Sequence, residues 1–206
     1  MYTEYCNYNR VIHDYEEEKK QIFEAIDNGL KGLSMPIHLI RDMGEYLPDN
    51  LLVSAPIDYP CGLSPTKIRE HMAINSLNSG ANALDYVPNH YFLKNKFTEL
   101  RKEVETIIRI CDDHDAPLRV FLDYRNSDNI ITISKILNDC GVDLFFPTVG
   151  YHHDDFFDNI INSKLIEDQV GCSVIFNGYM WKPDQLDFIK ESGLFGVRLY
   201  NLKLLV

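Results

Sequence analysis

The stretch from Leu51 to Val87, LLVSAPIDYPCGLSPTKIREHMAINSLNSGANALDYV, decides the fold. It opens on an apolar run, LLVSAPI (Leu51 to Ile57), and then changes to a helical pattern, SPTKIREHMAINSLNSG. Ser64 stands where an N-cap belongs, Pro65 takes the first helical position and Gly80 marks the stop. A second apolar run, ANALDYV (Ala81 to Val87), follows at once. Strand runs that are apolar on both faces are what parallel strands become when helices cover them. The segment therefore reads as one βαβ unit.

The alternation continues in both directions. Downstream, a helix with Leu100, Val104, Ile107, Ile108 and Cys111 on one face matches the 3.6-residue period. It precedes PLRVFLDY (Pro117 to Tyr124), which leads into NIITISKILNDCG, closed by Gly141. VDLFFPTV then precedes DDFFDNIINSKLIEDQVG, CSVIFNG (Cys172 to Gly178) precedes KPDQLDFIKESG, and LFGVRLY (Leu194 to Tyr200) is the last run. Upstream, TEYCNYNRVI precedes EEEKKQIFEAIDNG, and LKGLSMPI precedes a weaker helix around His38 to Leu47. About eight βα units result, the last without its helix. Such alternation allows a doubly wound sheet or a (β/α)8 barrel. No G-x-G-x-x-G follows the first strand, and the number of units fits the barrel. The expected fold is a small (β/α)8 TIM barrel, one domain over residues 1–206.

Composition narrows the function. The chain has 206 residues, a net charge of −11 and a pI near 5.0. That balance argues against broad nucleic-acid binding, which needs clustered Lys and Arg. MYTEYCNYNR has neither the basic start nor the apolar run of a signal peptide, and no stretch approaches the ~18 apolar residues of a membrane span. The five cysteines, Cys6, Cys61, Cys111, Cys140 and Cys172, form no C-x-x-C pair and read as reduced thiols. A soluble, cytoplasmic protein that meets neither nucleic acid nor membrane is expected. A barrel of this type usually runs to ~250 residues, and this one stops almost at the end of its eighth strand. The missing last helix would leave apolar surface for the tail NLKLLV or another subunit to cover, so a homo-oligomer is expected.

In these barrels function lies at the C-terminal ends of the strands. Those ends carry Asn7, Asn9 and Arg10; Ser34; Asp58; Asp85 and Asn89; Asp123 and Arg125; Thr148, Tyr151 and His152; Asn177; and Arg198, Tyr200 and Asn201. Side chains alternate along a strand, so Arg119, Phe121 and Asp123 share one face. Asp85, Arg119 and Asp123 could then meet inside the barrel, either as a neutral ion cluster or as acid/base machinery. HHDD (His152 to Asp155) has metal-ligating side chains. Adjacent residues on an extended segment point apart, however, and the Asp pair also suits the start of the next helix. Metal binding there would need Asp85 or Asp123 to join, and no metal or other cofactor is expected.

From Leu51 onward, over about three quarters of its length, the chain resembles the deoxyribose-phosphate aldolases, class I enzymes built as (β/α)8 barrels. Tyr59-Pro60-Cys61-Gly62 is similar to the family's Phe-Pro-x-Gly turn. The run from Gly80 to Asn89 resembles its GA-x-E-[IL]-D-x-V-x-N motif, and LRVFLDY, GVDLFFPTVGY, CSVIFNGYM and FGVRLYNLKLL follow the family's later strands. The resemblance implies that Asp85 sits at the acid/base aspartate position. It also implies that Phe146 and Ile175 sit where the family has its imine-forming lysine and the lysine that lowers its pKa. The glycine-rich phosphate site of strands seven and eight reads here Gly178-Tyr179 and Tyr200-Asn201-Leu202-Lys203, which argues against a phosphorylated substrate.

Phenylalanine and isoleucine cannot form an imine. Three routes remain open: a relocated lysine such as Lys182 or Lys203; other chemistry through Asp85, Asp123 and His152; or a non-catalytic, ligand-binding or scaffold barrel. The leading expectation is an aldolase-like carbon-carbon lyase acting on a small polar carbonyl compound. It assigns Asp85 as general acid/base with Arg119 and Asp123 as ionic partners. Thr148 and Asn177 are then polar contacts to the substrate, and Arg198 or Lys203 holds an anion.

Overall fold

A computed structural model describes residues 1–8, 14–125, 129–150 and 155–205. Eight parallel strands close a barrel in chain order, with β8 hydrogen-bonded back to β1. They are β1 (Tyr2–Cys6), β2 (Gly32–Ser34), β3 (Leu52–Ile57), β4 (Ala83–Tyr86), β5 (Leu118–Phe121), β6 (Leu144–Phe146), β7 (Ser173–Asn177) and β8 (Gly196–Leu199). Around them lie α1 (Tyr15–Asp27), α2 (Ile37–Met43), α3 (Thr66–Asn78), α4 (His90–Asn95), α5 (Phe97–Asp112), α6 (Ile130–Asp139), α7 (Phe156–Val170) and α8 (Pro183–Ser192). The expected TIM barrel is present. Each strand is shorter than the apolar run that announced it, because residues at either end of those runs belong to the connecting loops. The short α4, ahead of α5, has no counterpart in the sequence reading.

The periodic face of α5 is buried as expected, with Leu100, Val104, Ile107 and Cys111 all inside. Each such large side chain contributes roughly 1.5–3 kcal/mol. Glu103 lies on the same face and meets Arg69, which lies on the buried face of α3. Arg69 Nη1 donates to Glu103 Oε1 at 2.8 Å and to the Tyr86 hydroxyl at 2.7 Å. Tyr86 points outward from β4, so this buried ion pair fastens two helices to the sheet. Buried charges persist only when paired in this way. Ser64 does not cap α3, which begins at Thr66 after Pro65. Its amide and hydroxyl both go to the Asp58 carboxylate at 2.7 Å, bracing the loop between β3 and α3.

After β8 the chain makes one 3-10 turn, Leu202–Leu205. Leu202 and Leu204 are buried against α1 and α8. The tail itself closes the wall where a last helix would stand, so the apolar surface expected there is not left for another subunit. Among the described residues, no helix is long and apolar enough to cross a membrane.

Candidate functional site

Register places the inward side chains in layers. Lowest is Tyr2, whose ring enters because Gly32 faces it: a Cβ at Gly32 would collide with the Tyr2 hydroxyl. Tyr2 donates to Glu4 Oε2 at 2.8 Å. Above it Glu4 is paired in register with Arg198 across β1 and β8, and Asp85 with Arg119 across β4 and β5. These four charged residues are fully buried and interlock. Arg119 reaches Asp85 Oδ1 at 2.5 Å and Glu4 Oε2 at 2.5 Å. Arg198 reaches Glu4 Oε1 at 2.5 Å and Asp85 Oδ2 at 2.6 Å. Ser34 donates to Asp85, Ser54 donates to it at 3.0 Å, and the Tyr8 hydroxyl lies 3.3 Å away. Two guanidiniums against two carboxylates leave the cluster electrically neutral.

Burial alone would raise the Asp85 pKa, but Arg119 and Arg198, with the Ser34 hydroxyl, reverse that and hold it at about 2. Burial likewise opposes the charge on both arginines, and Asp85 and Glu4 overcome it, so both stay protonated. At neutral pH Asp85 is therefore an anion with donors on both oxygens. It has neither a proton to give nor a lone pair turned to a substrate.

An apolar group packs against the cluster. Phe121, Phe146 and Ile175 are buried together with Val87 and Val149. The Phe121 and Phe146 rings stack at 4.6 Å, Tyr59 packs on Phe121 at 5.7 Å and Tyr8 on Tyr59 at 4.7 Å. The Arg198 guanidinium carbon lies 4.0 Å from the centre of the Phe146 ring, so the aromatic plug also serves the charges beside it through cation–π contact. Beside the plug, where strands β6 to β8 end, Asn177 Nδ2 donates to the Thr148 carbonyl at 2.7 Å and Tyr200 donates to Asn177 Oδ1 at 2.5 Å. Gly150, at φ +71°, fits against this knot; a Cβ there would come within 2.6 Å of the Tyr200 hydroxyl.

On the other side of the mouth a cavity of about 290 Å³ opens between the ends of β3 and β6. Pro60, Cys61 and Leu63 line it from the loop after β3, and Val87, Pro88, His90 and Leu93 from β4 and α4. Phe121, Leu122, Asp123 and Val149 complete it.

No family model matches the chain. The deoxyribose-phosphate aldolase of Clostridioides difficile is 24% identical over 161 residues, covering 78% of this chain and 73% of that enzyme. The match to the Thermococcus gammatolerans aldolase spans only 60% of that enzyme's length, at 23% identity. In sequence, the likeness is to deoxyribose-phosphate aldolases. The solved structures agree on the fold. An aldolase designated QR15 superposes with a TM-score of 0.82 at 16% identity, over 96% of this chain and 88% of its own. The deoxyribose-phosphate aldolase of Aeropyrum pernix, described as tetrameric, gives 0.79 at 18% identity, over 96% and 84%.

Against that aldolase frame, Phe146 and Ile175 both face the barrel interior, as the resemblance requires of the positions it matches with lysines. Every lysine of the chain lies in a described segment, and none is buried. Lys182 is exposed ahead of α8, and Lys203 is exposed on the final turn. Several expected site residues stand elsewhere than expected. Asp85 and Arg119 do meet, but the carboxylate that completes their cluster is Glu4. Asp123 lies beyond β5 at the edge of the mouth cavity, with Oδ1 3.5 Å from Arg125 Nε. Arg198 belongs to the ion cluster and is not an exposed anion anchor. Asn177 spends its side-chain amide on the Thr148 carbonyl and the Tyr200 hydroxyl, and the Thr148 hydroxyl accepts from the Gly150 amide at 3.3 Å. Asn9, Arg10, Tyr151 and His152 lie outside the described residues. Asp155 caps α7, accepting from Phe157 and Asp158 amides at 3.0 Å. Among the described residues no cluster of three metal-ligating side chains occurs.

Glu4 was readable: a carboxylate at the centre of an apolar strand, YTEYC, two residues from Tyr2 and Cys6 on one face. The mouth cavity was not, because its lining is mostly unremarkable apolar residues from four separate segments.

Proposed function

We propose that this chain is an aldolase-derived barrel that binds a small molecule at its mouth and forms no imine with it. The observation that carries this reading is the barrel interior. Its inward positions on β6 and β7 include Phe146 and Ile175, its charges are neutralised in pairs against them, and no lysine is buried. An imine-forming lysine must be desolvated or set beside another cation to be a free amine near neutral pH. The exposed positions of Lys182 and Lys203 do not provide that. The test is intact-mass analysis after incubation with small aldehydes and ketones under borohydride reduction. The expected result is the unmodified mass, apart from surface labelling equal to that of a heat-unfolded control. A single adduct formed faster on the folded chain, and lost on replacing Lys182 and Lys203, would overturn the reading.

A second reading, a carbon-carbon lyase for a small polar carbonyl compound, is favoured by the aldolase names of the curated relatives. Such a lyase would draw its acid and base from mouth residues such as His90 and Asp123, because Asp85 is committed to the ion cluster. Release of an aldehyde from hydroxy-carbonyl compounds, lost in Asp123→Asn and kept in borohydride-treated protein, would support it.

Self-association is also proposed. Phe157, Ile161 and Leu165, spaced four residues apart on α7, are exposed and adjoin exposed Phe188 on α8. A stripe of this kind suits an interface. The expected light-scattering result is an oligomer that Phe157→Asp with Ile161→Asp converts to monomer; a wild-type monomer contradicts it.

A further inference from the structure

The mouth cavity selects a kind of ligand. Its walls are Val87, Leu93, Phe121 and Val149, and among the described residues that line it only His90 can carry positive charge. A carboxylate, Asp123, stands at its edge. An anion entering such a space would lose its hydration beside the Asp123 carboxylate; among the described residues the lining has no guanidinium or ammonium, and Arg125, 3.5 Å from Asp123, is not part of it. On the other side of the mouth, at β7 and β8, stands the hydrogen-bonded knot of Thr148, Asn177 and Tyr200. A volume of about 290 Å³ equals about ten water-sized volumes at ~30 Å³ each.

From these features we infer that the cavity between β3 and β6 is the ligand site, and that its ligand is a small, uncharged, chiefly apolar molecule. Such a ligand is ring-sized, with one hydroxyl or N–H group that donates to Asp123, and carries no phosphate. The inference rests on the reading that the barrel binds a small molecule without an imine, and it adds where the molecule sits and what it is. Apolar enclosure supplies most of the affinity in such a pocket, and the single polar group fixes orientation.

Cys61 provides the readout. It lines the rim and is exposed, whereas Cys6 and Cys111 are buried and the thiol pKa values of Cys140 and Cys172 are pushed up by burial. Iodoacetamide should therefore label Cys61 first. Labelling is followed by intact mass with benzyl alcohol, with benzyl phosphate and with neither. Benzyl alcohol at about ten times its Kd should slow labelling about tenfold, the mass-action factor. Benzyl phosphate at the same concentration should leave the rate unchanged. Asp123→Asn should weaken benzyl alcohol several-fold, measured by titration calorimetry. Leu63→Trp, a rim substitution at an exposed position, should abolish binding without loss of the folded state. Equal or stronger protection by benzyl phosphate overturns the ligand class. Absence of protection and of binding heat with benzyl alcohol overturns the site. Neither outcome bears on the imine, which borohydride trapping decides independently.

Discussion

At the centre of the barrel, Glu4, Asp85, Arg119 and Arg198 place four charges within hydrogen-bonding reach of one another and out of reach of water. At the mouth, between β3 and β6, the cavity meets solvent yet is lined mainly by Val87, Leu93, Phe121 and Val149. A catalytic acid or base needs a poised pKa and access to substrate together. Here the two requirements are divided. The centre has strongly perturbed charge behind an aromatic plug, and the mouth has access with little charge. A perturbed carboxylate at the position the resemblance matches with an acid/base aspartate is thus an ambiguous sign, because ion-pair networks perturb pKa values as strongly as active sites do. The hydrogen-bond partners resolve the ambiguity: both oxygens of Asp85 are occupied by the protein's own donors.

The contrast can be broken in stability before it is tested in activity. Asp85→Asn leaves two buried guanidiniums with only Glu4 between them, and should cost about 3–5 kcal/mol. In a chain of this size that lowers Tm by roughly 10 °C, at 2–4 °C per kcal/mol. A catalytic aspartate kept strained for function would instead leave Tm unchanged or raised. Acid gives the next largest effect. Asp85 titrates near 2 when folded and near 3.9 when unfolded. Its ionised form therefore stabilises the fold above pH ~4, and that contribution, on the order of 2–3 kcal/mol, is lost as pH falls from ~4 to ~2. The urea midpoint should drop across that window in the wild type, and by less in Asp85→Asn.

Phe146→Leu keeps most of the apolar volume but removes the ring stacked on the Arg198 guanidinium, and should cost about 1–2 kcal/mol by urea denaturation. A gain in stability would show that the plug is not tied to the ions it touches. Asp123→Asn should be smallest, under about 1 kcal/mol, since its partner Arg125 is also at the mouth and partly exposed. If Asp123→Asn proved as costly as Asp85→Asn, the division between centre and mouth would fail.

The frame was legible because it follows from short-range rules. Gly80, Gly141 and Gly193 end helices, and apolar runs between them are parallel strands in a barrel of standard order. The first half of the ion cluster was legible for the same reason, since Asp85 and Arg119 lie on neighbouring strands whose register puts them side by side. Glu4 needs barrel closure to be placed: its partners are 115 and 194 residues away, and only the β8–β1 seam brings them together. Alternation was read one step too far in β5. The strand ends at Phe121, so Asp123 leaves the inward face that Arg119 and Phe121 share. Arg198 and Asn177 were read as free polar groups because a sequence shows donors and acceptors without showing whether they are already satisfied. Arg69 and Glu103, each set within a buried helix face, carried a signal that went unread: a charge at a core position implies a partner.

The central claim is that Asp85 is a sealed structural anion, and the most direct measurement is the titration of its side-chain carboxyl carbon by 13C NMR. The expected result is a midpoint near 2, well below the usual carboxylate range, and no movement when benzyl alcohol fills the mouth. A midpoint at or above ~4.5, or one that shifts with ligand, would mean that Asp85 exchanges protons with the site, and would contradict the account.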